Sequence, residues 1–156
     1  MKPMRVYADT SVFGGCLDSE FAKESRRFFE LVRSGQVVLL ISEVVVEELA
    51  GAPPEVQEVL KSLPTGSLVP VELTPEILEL REAYLAAGII SRKFADDATH
   101  VAAATAARAD ALVSWNFKHL VRIDRVRGYN QVNLQNGFGL LSIVSPQEVW
   151  VGDDER

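Results

Sequence analysis

The chain has 156 residues, and its 16 Lys and Arg against 22 Asp and Glu give a formal charge of -6. That length suits one domain with a core of its own. A 47% hydrophobic and 24% charged composition excludes disordered, collagen-like and coiled-coil classes. The lone cysteine, Cys16, excludes an intrachain disulfide framework and a thiolate zinc cluster, and His100 and His119 are too few for a His-rich zinc site. No apolar run approaches the roughly 18 residues of a membrane span, and residues 1–20 lack a signal-peptide h-region, so the expected setting is cytoplasmic with no membrane contact. The acidic balance disfavours a protein that coats nucleic acid non-specifically. It does not exclude a nucleic-acid enzyme whose site is itself acidic.

In chain order, Arg5–Ala8 reads as a short strand ending at Asp9. Ser19–Ser34 carries Phe21, Ser25, Phe28, Phe29 and Val32 at helical spacing, and Gly35 stops it. Val37–Ile41 is a continuous apolar run, as in a strand buried on both faces. Ser42 can cap a helix through about Ala50, which Gly51-Ala52-Pro53-Pro54 ends. A helix over Pro54–Leu63, a strand near Leu68–Val71 and a helix from the Thr74-Pro75 cap to Ala87 follow. Asp96 and Asp97 open an alanine-rich helix to about Ala109; Ala111–Ser114 is a strand, Phe117–Arg122 a helical turn, and Leu140–Val144 the last strand. Residues 128–139, polar and without a clear period, read as a long loop or irregular hairpin. This alternation predicts an α/β fold, a central parallel sheet with helices on both faces, over residues 1–150, with a short acidic tail over 151–156.

In such sheets ligands bind beyond the carboxyl ends of the strands, where strand order reverses. Asp9 follows the first strand there, and Asn116 follows Leu112-Val113-Ser114-Trp115 at the same end of a later one. Asp96 and Asp97 begin a helix, and Glu47 and Glu48 lie on the short helix after the second strand. Each has a plainer role: Asp9 as a turn or capping residue, one of Asp96 and Asp97 as a helix cap, the Glu pair as a solvated face, and Asn116 as a turn residue. His100, one turn after Asp97, reads as a packed or hydrogen-bonded histidine before a ligand. Together they deliver several carboxylates to one edge. Two carboxylates about 4 Å apart repel by roughly 4 kcal/mol at an effective dielectric of about 20. Oxygen donors without thiolates select hard ions, so Mg²⁺ or Mn²⁺ is the expected cofactor, with phosphodiester chemistry as its natural use.

At these residues the sequence resembles a PIN domain, close to the VapC-type toxins of toxin–antitoxin pairs. The resemblance rests on Asp9-Thr10-Ser11-Val12-Phe13, Ser42 through Leu49, Asp97-Ala98-Thr99-His100 with the alanines after it, and Leu112 through Leu120; it spans roughly residues 5–120. Val144-Ser145-Pro146-Gln147-Glu148 is similar to the family's closing strand and turn. The resemblance implies a Rossmann-like PIN fold and a metal-dependent endoribonuclease. It makes Asp9, Glu48 and Asp97 metal-binding acids, Glu48 over Glu47 because the family's acid directly precedes a leucine, and Asp97 over Asp96 because it heads the Asp-Ala-x-His block. Asn116 falls where many members carry a fourth acid and others an asparagine, and joins the three acids as a catalytic candidate. Thr10 or Ser11 would donate a hydroxyl to a carboxylate or to metal-bound water. The implied partners are an RNA substrate, a small antitoxin and a second copy of the chain as a homodimer.

An acidic pocket still needs local positive charge to hold RNA. Lys118, Arg122, Arg125 and Arg127 lie just beyond Asn116, and Arg92 and Lys93 precede Asp97; these segments are expected to flank the groove. Phe94, Trp115 and Phe117 could stack on bases, with core packing expected for at least two of them. The competing reading is a PIN-like RNA- or protein-binding module with little catalysis. A haloacid-dehalogenase-like phosphatase needs an Asp where Ser11 stands, and a response-regulator receiver lacks its acid pair and lysine here.

Overall fold

A computed structural model describes residues 2–152. Strand β1 (Met4–Ala8) is followed by helices α1 (Thr10–Gly15) and α2 (Ala22–Arg33), then by β2 (Val37–Ser42), α3 (Glu43–Ala50) and α4 (Pro54–Lys61). The chain continues through β3 (Leu68–Val71), α5 (Pro75–Ala86), α6 (Ala95–Ala106), β4 (Ala111–Val113), α7 (Ile123–Gln135) and β5 (Ser142–Val144). All strand pairings are parallel, in the order β3-β2-β1-β4-β5. The fold is therefore α/β, a central parallel sheet flanked by helices. The chain walks outward from β1 through β2 to β3, then returns to place β4 on the other side of β1. Strand order reverses between β1 and β4, and that crevice is where this architecture holds ligands.

Successive residues Val6, Tyr7 and Ala8 are all fully buried. Neighbouring side chains on a strand point to opposite faces, so both faces of the central strand are covered. On α2 the residues that turn inward are Ser25, Phe28, Phe29 and Val32, the stripe their spacing predicts. Ser42 caps α3 by accepting from the Val45 N–H, and Thr74 caps α5 by accepting from the Ile77 N–H. Helix α6 ends three residues short of the expected Ala109. Arg108 takes a left-handed conformation (φ 56°), and the Ala109 N–H returns to the Ala104 carbonyl, closing the last turn.

The structure corrects the reading of residues 128–139. Up to Gln135 they continue α7, whose inward residues Tyr129, Val132 and Asn133 do have helical spacing. An asparagine hides that period because it is itself a core residue. Asn133 is fully buried, accepts from the Tyr84 hydroxyl, and donates to Thr105 Oγ1 (3.2 Å) and Asn130 Oδ1 (3.3 Å). Asn130 in turn bonds both the N–H and the carbonyl of Leu141, fixing the loop into β5. Helix α1 has no counterpart among the elements expected from periodicity; its six residues are too few to show one.

Of the expected tail, Val151 packs partly buried against the core, and residues 153–156 lie outside the described ones. No helix among the described residues is long and apolar enough to cross a membrane. Asn133→Ala would strip the Tyr84 and Thr105 hydroxyls of a buried partner and leave a small void. The expected cost is about 2 kcal/mol, read as a lower urea midpoint at unchanged m-value.

Candidate active site

Asp9 stands at the C-terminal end of β1, beside the strand-order reversal, and is only 4% exposed. It caps α1: Oδ1 accepts from the Ser11 N–H (3.1 Å) and the Ser11 hydroxyl (2.5 Å). Its Oδ2 accepts from the Ser114 hydroxyl (2.6 Å). Each serine is itself fed by the turn after β4. Ser11 Oγ accepts from the Trp115 N–H (2.9 Å), and Ser114 Oγ from the Asn116 N–H (2.9 Å). The turn after β4 therefore holds the carboxylate at the end of β1 through two polarised hydroxyls. Burial nevertheless pushes the Asp9 carboxyl above its ordinary range, against the pull of His100 and both serines.

Glu48 reaches this edge from α3. Thr10 donates to its Oε1 (2.6 Å), and His100 Nε2 meets the same oxygen at 2.9 Å. Burial acts to raise Glu48, but the hydrogen bonds from His100 and Thr10 outweigh it and hold this acid below its usual value. Asp97 comes from the first turn of α6, where Asn116 Nδ2 donates to its Oδ2 at 3.3 Å. Its carboxyl is pushed up to about 6 by burial, with Asp9, Glu48 and Asp96 adding to the rise and His100 opposing it. Asp97 thus senses both Asp9 and Glu48, and His100 is the base that acts on all three acids. Burial lowers the His100 pKa, but the Glu48 hydrogen bond and the three carboxylates together leave it raised.

Of the paired candidates, Asp96 and Glu47 are exposed, and their side chains make no hydrogen bond among the described residues. Asn116 Oδ1 accepts from the Lys118 and His119 N–H groups, so this residue shapes the turn as well as touching Asp97. Among the described residues, no three His, Cys, Asp or Glu side chains converge as a ready metal-ligand set.

The cations expected to flank this edge differ in their commitments. Arg92 pairs with Glu82 (2.8 Å), Arg122 pairs with Asp124 (2.6 Å), and Arg125 is engaged with the Ile89 carbonyl. Lys118 is exposed with no ion pair among the described residues, and Lys93 lies over the Phe94 ring at 5.6 Å. Trp115 is buried, stacked on Phe21 and bonded to Ser25, and Phe94 packs on His119, which leaves Phe117 as the exposed ring. Gly15 makes room for that tryptophan: a Cβ there would lie 2.4 Å from Ser25 Oγ and 2.8 Å from the indole nitrogen.

Sequence reasoning missed Tyr7, Ser114 and the bridging part of His100. Tyr7 was hidden within an apolar strand, and its one signal is a phenol placed where a phenylalanine would fill the same core. Ser114 could have been found from its position two residues before Asn116, at the same edge as Asp9.

No family model matches the chain, and no curated protein matches it. Among solved structures, its α/β fold is that of a chain in the crystal structure of VapBC2 from Rickettsia felis bound to a DNA fragment from their promoter. The TM-score is 0.57 at 17% identity, over 90% of this chain and 98% of that one. At this identity the likeness is one of fold, and it agrees with the PIN-like architecture that the sequence resembles.

The raised Asp97 carboxyl has a consequence for stability. Its folded pKa of about 6 exceeds the ordinary 3.8, so the native state binds this proton more tightly than the unfolded chain does. Stability therefore falls as pH rises from about 4 to 6 and stays lower above. Two units correspond to about 3 kcal/mol, which solvent screening at this half-buried site reduces to about 1 kcal/mol. Asp97→Asn should accordingly be about 1 kcal/mol more stable than wild type at pH 7 and equal to it near pH 3.5, as measured by urea unfolding at both values.

Proposed function

We propose that the chain is a Mg²⁺- or Mn²⁺-dependent endoribonuclease, the toxin half of a toxin–antitoxin pair. The observation that carries this reading is the arrival of Asp9, Glu48 and Asp97, from three separate elements, at the edge of the strand-order reversal, where Asp9 and Glu48 both add to the cost of charge on Asp97. The donor chemistry fits a hard cation. Glu48 Oε2 and Asp97 Oδ1 carry no hydrogen bond among the described residues, and a cation would offset the burial and the neighbouring carboxylates that lift Asp97. The fit is to a hydrated ion held through one or two carboxylates, not to a closed cage. When bound, such an ion would activate water and neutralise charge on the phosphodiester.

The chain's own residues would do the rest. Ser11 and Ser114 fix Asp9 in one rotamer, and Thr10 and His100 fix Glu48. Asn116 orients Asp97 without adding charge. Lys118 and Lys93 would meet the RNA backbone directly, whereas Arg92 and Arg122 would first exchange a carboxylate partner for a phosphate. The fold neighbour is part of VapBC2 bound to promoter DNA, which supports a partner protein for this chain too. That partner would be a small antitoxin, and a homodimer accompanies the same reading.

A second reading, a weakly catalytic PIN-like binding module, draws on Asn116. Its amide oxygen is committed to Lys118 and His119 and is not available as a fourth ligand.

Purified protein should cleave a mixed single-stranded and hairpin RNA pool with Mn²⁺ or Mg²⁺ and not with EDTA. Asp9→Asn and Asp97→Asn should lose about a hundredfold or more of that rate while remaining folded. Millimolar Mn²⁺ should also raise the wild-type melting temperature. Cleavage by Asp9→Asn at the wild-type rate would refute the site assignment. RNA binding without turnover by folded wild type would favour the binding module.

A further inference from the structure

Behind Glu48 lies a line of buried polar groups that the proposed reaction does not itself require. His100 is 2% exposed, and Tyr7 and Ser42 are fully buried. His100 Nδ1 lies 2.7 Å from the Tyr7 hydroxyl, which lies 2.6 Å from Ser42 Oγ. The groups come from α6, β1 and the end of β2, and they end on a glutamate of α3. An apolar core could fill the same space with Phe and Leu, and a buried polar group is costly unless satisfied.

The chemistry of the partners fixes the direction of the line. An ionised carboxylate only accepts, so the hydrogen bond to Glu48 requires the proton on His100 Nε2. In the neutral ring Nδ1 is then the acceptor, and the Tyr7 hydroxyl donates to it. Ser42 donates to the Tyr7 oxygen while accepting from the Val45 N–H. Every donor and acceptor along the line has a use. At its end, Thr10 and His100 both occupy Glu48 Oε1, and Oε2 has no partner among the described residues, on a side chain that is 35% exposed.

We propose that His100 is a positioning residue: held by Tyr7 and Ser42, it clamps one oxygen of Glu48 together with Thr10 and so presents the other, Oε2, as the single oxygen that takes a divalent cation. The proposal rests on the nuclease reading for its ligand, and on the hydrogen-bond geometry alone for its mechanism. Glu48 fixes the proton on Nε2, Tyr7 and Ser42 satisfy the other side of the ring, and the helix cap made by Ser42 ties the device to the start of α3, the helix that carries Glu48.

Two measurements on the whole chain test it. Long-range ¹H–¹⁵N spectra of the metal-free wild type should show the His100 proton on Nε2. A wild-type ring without a proton on Nε2 overturns the proposal whatever the variants do. Free Mn²⁺, read by electron paramagnetic resonance, then gives the dissociation constants. His100→Ala and Tyr7→Phe should weaken binding about tenfold, as loss of a residue supporting a metal ligand does, and His100→Gln, which keeps an amide donor, should recover most of it. Wild-type affinity in folded His100→Ala, alongside lost affinity in Asp97→Asn, would overturn the positioning role and leave the nuclease reading standing. No Mn²⁺ uptake by the wild type would remove the nuclease reading and this proposal with it.

Discussion

Asp9 is an ionisable group almost wholly withdrawn from water, and the surrounding elements are arranged to tolerate it. It ends the central strand, opens α1 as its cap, and receives two serine hydroxyls, one of them carried by the turn after β4. That turn can reach it because the parallel order places β4 directly beside β1. Trp115, fixed by stacking on Phe21 and by its bond to Ser25, holds the turn at the right height. The geometry of the site is thus a consequence of one buried carboxylate and the packing that secures its donors. Those donors are neutral, and they add no positive charge beside the three acids of this edge.

His100 is the buried base among these groups, and it meets them through Glu48. This divides the three acids. Glu48 is held ionised by its hydrogen bonds, whereas Asp9 and Asp97 are pushed toward their protonated forms. An arrangement of that kind is poised for a cation, which would lower the cost of charge on Asp9 and Asp97 without disturbing the Glu48 clamp. Beyond the edge, Arg92 and Arg122 are paired to acids within the chain. An RNA chain would therefore be recognised through few direct contacts and through exchange of those pairs, in keeping with the net charge of -6.

Much of the architecture was legible in the sequence because its elements follow their periods cleanly. The apolar run of β2, the Ser42 and Thr74 caps, and the Phe28, Phe29 and Val32 stripe each have one local cause. The segment that ends α7 was misread for the opposite reason. Asn130 and Asn133 are polar residues doing the work of core residues, and only the partners they meet in the fold, Tyr84, Thr105 and Leu141, make sense of them. At the candidate site, the positions of Asp9, Glu48, Asp97 and Asn116 followed from strand ends and from a family resemblance. The Tyr7–His100–Glu48 line could not be read, since its two bonds join residues 93 and 52 positions apart.

The measurement that bears most directly on this account is the anomalous difference map of a crystal soaked in Mn²⁺. The account predicts one well-occupied peak at the C-terminal edge of β1, within coordinating distance of Glu48 Oε2 and of Asp97 or Asp9, with waters completing its shell. A crystal that takes up Mn²⁺ only elsewhere on the surface, with the His100–Glu48 and Ser114–Asp9 hydrogen bonds unchanged, would contradict it.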